Sequence, residues 1–263
     1  MDSVGKYEVR SEAKRINRQR QWLRILILGI SSILLLLTVT FVCATFVNKA
    51  GRFTINLDPE SLNKYGISIA DNEDMKDATI VLRGTAVENI TNITKKHILN
   101  NPSYKDTYFF YEKDDPTYKD YSDIDRVPGD HNGKNYIAYT FWIANSGSET
   151  VKYYGSLDID SVAKGADEAL RVMVFQNGKS TDYGKVPKNP DAQYATFGID
   201  KYFLSGDVVM DVKRSDFKPG DKDRYTIVIW LEGWDPECVD NIKGGEVKLS
   251  MNFKVLEDET VKN

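Results

Sequence analysis

Residues 25–47 read ILILGISSILLLLTVTFVCATFV, a run of 23 residues without a charged side chain. About 20 consecutive apolar residues cross the hydrocarbon core of a bilayer as an α-helix. The hydroxyl groups in the run belong to serines and threonines, which helices in lipid tolerate because these side chains bond to the helix backbone. The stretch therefore predicts one membrane-spanning helix near the N-terminus.

Charge divides the chain into three parts around this span. Residues 1–24 carry seven basic and three acidic side chains, whereas residues 48–263 carry 28 basic and 36 acidic ones. An excess of basic residues before a span predicts that this side stays in the cytoplasm. We therefore expect a basic cytoplasmic segment (1–24), a transmembrane helix or signal anchor (25–47) and an extracellular domain (48–263).

Whether the span is retained is a separate question. It is longer than the ~7–15-residue apolar region of a signal peptide, and this length favours an uncleaved anchor in the cell membrane. The small residues of Val42-Cys43-Ala44 also fit a signal-peptidase site, so release by cleavage after Ala44 stays open.

The overall composition excludes several classes of protein. With 41% hydrophobic residues and eight prolines the chain is not wholly disordered, and a net charge of −4 argues against a nucleic-acid partner. Cys238 is alone in the predicted external domain, which therefore has no internal disulfide and suggests a Gram-positive type of bacterial surface. Cys238 itself is a partly buried loop residue, a reactive thiol or one half of a disulfide between two molecules.

Strict alternation of apolar and polar side chains predicts strands after the span. The clearest case is 247–255, where every second residue from Val247 to Val255 is apolar. Similar patterns occupy residues 53–58, 151–159, 170–174, 208–213 and 225–231. Residues 136–143 are apolar on both faces, which predicts a central strand.

Turn signals separate these strands. Asn177-Gly178 predicts a type I′ hairpin turn, and Pro219-Gly220 predicts a type II turn. Short helices are expected at 59–64 and 161–169, and long loops at 88–135 and 181–203. Seven or eight short strands with such turns predict an all-β, jelly-roll-like β-sandwich ectodomain that follows the single N-terminal transmembrane helix.

Two acidic loops are candidate binding sites. Asp123, Asp125 and Asp130 lie in an acidic, glycine-bearing stretch, and Ca²⁺ is bound by six to eight such oxygen ligands. The stretch lacks the remaining ligands of an EF-hand loop, so a solvated acidic loop is the alternative interpretation. Residues 234–240 concentrate three acids and the Cys238 thiol, and they form either a second binding loop or a polar loop at one end of the sandwich.

No recognisable catalytic motif is present. The sequence contains neither H-E-x-x-H nor G-x-S-x-G, and it has no phosphate-binding or dinucleotide-binding glycine pattern. The two histidines, His97 and His131, have no local partners for catalysis. We therefore assign no catalytic residue and no cofactor other than the candidate Ca²⁺.

Several segments together resemble the TasA/camelysin group of exported biofilm-matrix and surface proteins of Gram-positive bacteria. They are FTIN (53–56), YIAYTFWIANSG (136–147), DFKPGD (216–221), YTIVIWLEG (225–233) and GGEVKLSMNF (244–253). The resemblance, which covers about half of the predicted ectodomain, implies a jelly roll that builds extracellular fibres by donating a strand to a neighbouring subunit. Camelysins have been described as metalloproteases, but this sequence lacks a zinc motif and that activity is not carried over. The basic head and long span also depart from the family, which bears on release from the membrane.

These observations favour a non-catalytic, single-pass surface protein with a structural, adhesive or matrix-assembly role. Its expected partners are the membrane and, by strand addition at an exposed sheet edge, other copies of itself or other envelope proteins. A Ca²⁺-binding or ligand-binding surface sensor is the first alternative, and an exported hydrolase is the second.

Overall fold

A computed structural model describes Arg18 and residues 20–40, 53–95 and 124–257. The chain divides into two compact units, Met1–Ala50 and Gly51–Asn263.

In the first unit, helix α1 (Arg20–Thr40) is long and apolar enough to cross a membrane, either as an anchor or as a signal sequence. It begins five residues before the predicted span, and residues 41–47, with the candidate cleavage site after Ala44, lie outside the described residues. The hydroxyls of Ser31, Ser32 and Thr38 donate to backbone carbonyls one turn earlier, so these groups need no partner from outside the helix.

The second unit consists mostly of strands. Its described elements are β1 (Thr54–Leu57), α2 (Pro59–Tyr65), β2 (Ile67–Ala70), β3 (Val81–Arg83), β4 (Gly129–Asp130), β5 (Tyr136–Asn145), β6 (Val151–Val162), β7 (Leu170–Gln176), β8 (Lys179–Gly184), β9 (Lys201–Tyr202), β10 (Val208–Phe217), β11 (Lys222–Leu231) and β12 (Val247–Leu256). Single turns of 3₁₀-helix occupy Ile124–Arg126 and Asp240–Ile242.

The strands form two mixed sheets. Sheet A has the order β10-β6-β12-β1-β3, and sheet B has the order β2-β5-β11-β7-β8-β9 with β4 also paired to β5. Pairing is antiparallel except between β1 and β12 and between β8 and β9. The alternation seen in the sequence gives β6 one buried face, whereas β5, β7 and β11 of sheet B are buried on both faces.

The inner faces of both sheets share one hydrophobic core. Phe141 and Tyr225 of sheet B stack with ring centroids 5.5 Å apart. Phe253 of sheet A approaches Phe141 edge-on at 5.8 Å and Tyr225 at 5.4 Å. Aromatic contacts of this kind add to the free energy gained by burying the rings, so this group joins the two sheets at their centre.

Both predicted turns are confirmed. Asn177 and Gly178 have φ angles of 50° and 84° and connect β7 to β8 in a two-residue hairpin. Gly220 has a φ of 87°, and the Asp221 N–H donates to the Lys218 carbonyl at 2.9 Å. The predicted short helix at 59–64 is α2, which begins at Pro59 and is followed by a left-handed Gly66.

Other expectations were wrong. The described residues alone contain twelve strands, more than the seven or eight predicted. In place of a helix at 161–169, β6 extends to Val162 and turns follow, because Lys164 and Gly165 adopt left-handed φ angles of 55° and 67°. The predicted loop 181–203 is shorter, since its ends belong to β8 and β9.

Candidate functional site

The predicted calcium ligands do not form a common site among the described residues. Asp123 lies outside those residues. Asp125 Oδ2 accepts a hydrogen bond from Arg224 Nη2 at 2.9 Å, and Asp130 Oδ2 accepts from the N–H of Thr85 at 2.8 Å. No group of three or more acidic, cysteine or histidine side chains suited to a metal occurs in the described part of the chain. These two carboxylates instead hold neighbouring segments together, and calcium binding stays a prediction.

Thermal unfolding with and without Ca²⁺ tests that prediction. A site filled at 100 times its Kd stabilises the folded state by about 2.7 kcal/mol, which raises the Tm of a domain this size by roughly 5–10 °C. The leading interpretation, a loop without Ca²⁺, predicts no such rise at millimolar Ca²⁺, because Asp125 and Asp130 are engaged by Arg224 and Thr85. A rise that Mg²⁺ does not reproduce, and that disappears in Asp123→Asn, would establish the calcium-sensor alternative.

The loop 234–240 directs its first carboxylate inward. Asp235 Oδ2 lies 2.6 Å from Nη2 of Arg171 in β7, and the Arg171 side chain is fully buried. The guanidinium also donates to three backbone carbonyls, those of Leu170, Ala195 and Phe197. This ion pair therefore fixes the loop to sheet B and joins it to the segment 185–200.

A second carboxylate lies buried at the same end of β11. Glu232 Oε2 accepts from Trp230 Nε1 at 3.0 Å, and Oε1 accepts from the N–H of Trp234 at 3.2 Å. Burial raises the pKa of Glu232 above its ordinary value, and these two hydrogen bonds act in the opposite direction. The side chain is thus a buried structural acid held by tryptophan donors.

Cys238 and Glu237, the remaining groups of interest in this loop, also have roles within the fold. Cys238 is half-buried, and burial, followed by the nearby Asp235 and Glu232 charges, raises the pKa of its thiol. A higher pKa leaves less thiolate, the reactive form, at neutral pH. Glu237 accepts from the N–H of Lys188 at 2.7 Å. These contacts favour the partly buried loop residue over the reactive thiol for Cys238.

A network of polar side chains crosses the outer face of sheet A. Asn56 in β1 donates to Asn252 in β12 at 2.9 Å, and Asn252 donates to Asp158 in β6 at 2.7 Å. Ser250 donates to Asp160 at 2.7 Å. The network ties three adjacent strands together, and its two asparagines line a shallow groove beside Tyr154 and Lys254.

His131 is held by the backbone. Its Nδ1 lies 2.7 Å from the Gly129 carbonyl oxygen and its Nε2 lies 3.0 Å from the Ile124 carbonyl oxygen. The ring therefore links β4 to the 3₁₀ turn that precedes it. His97 lies outside the described residues.

The longest free sheet edge in the described structure belongs to β10. This ten-residue strand pairs with β6 on one side and ends sheet A on the other. At its start, the carbonyls of Val208 and Val209 already accept from the N–H groups of Ser205 and Leu204. The other edge strands, β2, β3, β4 and β9, have four, three, two and two residues. Alternate residues of an antiparallel edge strand point their N–H and C=O groups away from the sheet. β10 therefore offers hydrogen-bonding groups to an added strand.

Sequence reasoning identified β10 as a strand but did not identify its position in the sheet. It also missed the buried pair of Arg171 with Asp235. A signal for that pair was present, because Arg171 is the single charged residue within the otherwise apolar run Leu170–Phe175. A cation inside such a run predicts a buried anionic partner.

Comparison with known proteins adds little. Neither a family model nor a curated protein matches the sequence. Two similar solved structures are beta-glucosidase from Kluyveromyces marxianus in complex with glucose (11% identity, TM-score 0.23, 51% of this chain and 14% of that chain) and its selenomethionine-labelled form (13%, 0.20, 70% and 16%). This chain thus spans less than a fifth of either enzyme's length, and likenesses at these TM-scores carry no argument.

Proposed function

We propose that this chain is a single-pass bacterial cell-surface protein whose sheet-rich unit has a non-catalytic structural or adhesive role outside the cell. The observation that carries the proposal is the composition of α1, a helix long and apolar enough to cross a membrane, in which residues 25–40 include no charged side chain. A helix of this length with such a composition needs an apolar cover, and the hydrocarbon of a bilayer supplies it. The basic residues before α1 favour a cytoplasmic N-terminus.

The free edge of β10 supports a contact role for the sheet-rich unit. Backbone groups at a sheet edge bind another strand with affinity that depends little on side chains. The conspicuous carboxylates of the unit hold its own segments together instead. Asp125, Asp130 and Asp235 each accept a hydrogen bond from a segment distant along the chain, and Glu232 accepts from Trp230 of its own strand end. Because these carboxylates stabilise the fold itself, we propose that the unit acts through contacts at its surface, such as the edge of β10.

The resemblance to the TasA/camelysin group extends this proposal to matrix assembly. The resembling segments fall on β1, β5, β11, β12 and the turn between β10 and β11, which are central parts of the two-sheet fold. A jelly-roll arrangement is the finer form of the fold that the resemblance favours. Partners under this proposal are other copies of the chain or other envelope proteins.

Membrane fractionation tests the anchor. Replacing both Leu34 and Leu35 with Arg near the centre of the predicted span 25–47 raises the cost of insertion by about 6–8 kcal/mol, so we expect the double variant to leave the membrane fraction. Leu34→Ala with Leu35→Ala is the matched control and stays in it.

N-terminal sequencing of the wild-type membrane fraction completes the test. An intact Met1 there supports the anchored protein. A mature chain that begins near Thr45 and is recovered from the medium contradicts it.

A further inference from the structure

The free edge of β10 carries charges of both signs over a short regular stretch. Register shifts interrupt its pairing with β6 before Met210 and after Arg214, so the regular ladder runs over residues 210–214. Asp211 and Lys213 are exposed in this stretch, and neither has an ion-pair partner in the described part of the structure. Val212 lies between them and packs against the shared core.

We propose that a second copy of this chain pairs with β10 in antiparallel fashion about a two-fold axis at Val212. In that register Asp211 of each copy lies opposite the second copy's Lys213, and the two Val212 residues lie opposite each other. Directly opposed residues of an antiparallel ladder project to the same face, with Cβ atoms about 4.5–5.5 Å apart. Two ion pairs therefore form across the seam, and the five-stranded sheets A join into one continuous sheet.

Neighbouring registers oppose like charges. An axis at Asp211 brings the two Asp211 carboxylates together, and an axis at Lys213 brings the two Lys213 ammonium groups together. Like charges directly opposite each other destabilise a strand pair. Val212 is also the midpoint of the regular stretch 210–214. The register that pairs opposite charges therefore also aligns the regular stretches of the two copies over their full length.

Charged residues on edge strands commonly prevent association. They do so when a second strand places a like charge, or no charge, opposite them. In the antiparallel register proposed here, Asp211 of one copy instead lies opposite Lys213 of the other. A two-fold contact uses the same patch on both copies and closes at two molecules. The inference rests on the proposed contact role of the β10 edge and adds the partner and the register.

Charge reversal of the full chain in detergent tests the register. Asp211→Lys places Lys opposite Lys213, and Lys213→Asp places Asp opposite Asp211. We expect each single variant to self-associate at least ~10-fold more weakly than wild type in sedimentation equilibrium, because both seam pairs become repulsive. Asp191→Lys, a reversal in an exposed loop, is the control and associates as wild type does.

Mixing the two variants gives the decisive measurement. In a heterodimer of Asp211→Lys with Lys213→Asp both seam pairs are again attractive, so differently tagged variants should co-purify while each alone does not. Association through α1 would not respond to these reversals. A monomeric wild type, unchanged single variants or a mixture that fails to associate overturns the two-fold pairing. The proposed function has a separate test, because it is contradicted if the wild-type chain is absent from the membrane fraction.

Discussion

Replacing Asp235 with Ala is expected to lower the free energy of unfolding by about 3–5 kcal/mol, because it leaves a buried charge without its partner. Arg171 is fully buried, and its remaining acceptors are the carbonyl oxygens of Leu170, Ala195 and Phe197, which carry no formal charge. Urea unfolding of residues 51–263, followed by tryptophan fluorescence, measures the loss.

An exposed ion pair provides the control for this substitution. Asp240 lies 2.8 Å from Lys243, and its side chain is 88% exposed. Solvated pairs of this kind contribute up to about 1 kcal/mol, so Asp240→Ala should change the stability little. If Asp235→Ala costs no more than Asp240→Ala, the buried pair does not hold the loop.

A double substitution separates the effect of the unpaired charge from the effect of lost side-chain volume. Arg171→Met together with Asp235→Leu removes both charges and keeps apolar volume in the site. Such replacements of buried ion pairs are often neutral or stabilising. We therefore expect the double variant to recover most of the stability lost in Asp235→Ala.

Replacing Trp230 with Phe is expected to destabilise the sheet-rich unit in a pH-dependent manner. The substitution removes the hydrogen bond from Nε1 to Glu232, and hydrogen bonds to charged groups contribute about 1.5–3 kcal/mol. That bond opposes the rise in the pKa of Glu232 that burial causes, so without it the pKa rises further.

The sign of the pH dependence follows from the raised pKa. An acid that binds its proton more tightly in the folded state stabilises the fold at low pH, and this contribution is lost as the pH rises from the unfolded pKa to the folded pKa. The loss for Trp230→Phe should therefore be larger at pH 8 than near pH 4.5, as measured by urea unfolding at both values.

Trp142 provides the matched control for this comparison. It is also buried in sheet B, at 5% exposure, and its indole N–H has no side-chain partner among the described residues. Trp142→Phe should therefore cost the same at both pH values. An equal loss at the two pH values for Trp230→Phe would show that Glu232 does not depend on this donor.

The sequence predicted those features that depend on local patterns. Alternation with period two identifies β12 and β6, and the Asn177-Gly178 turn follows from the positive φ angles that its type requires. The predicted loops were less accurate, because β9 exists only through its pairing with the end of β8. That end of β8 is in turn set by its pairing with β7. Two-residue strands have no pattern of their own to detect.

The candidate site depends on contacts that are distant along the chain. The sequence shows an acidic stretch around Asp125, but the cation that engages it is Arg224, 99 residues later. Arg171 and Asp235 are likewise separated by 64 residues. The position of β10 at the edge of sheet A is equally non-local, since it is set by the order in which strands assemble.

The parallel pairing of β1 with β12 has a consequence for how the molecule is made. Thr54 at the start of the sheet-rich unit lies beside Ser250 near its end, so sheet A cannot close until almost the whole chain has been synthesised. Contacts between such distant segments slow folding, because the chain must first close a long loop. If the unit is exported as proposed, this delay would help to keep the polypeptide unfolded while it passes through a translocation channel. The pairing of β1 with β12 thus places the closure of sheet A late in folding.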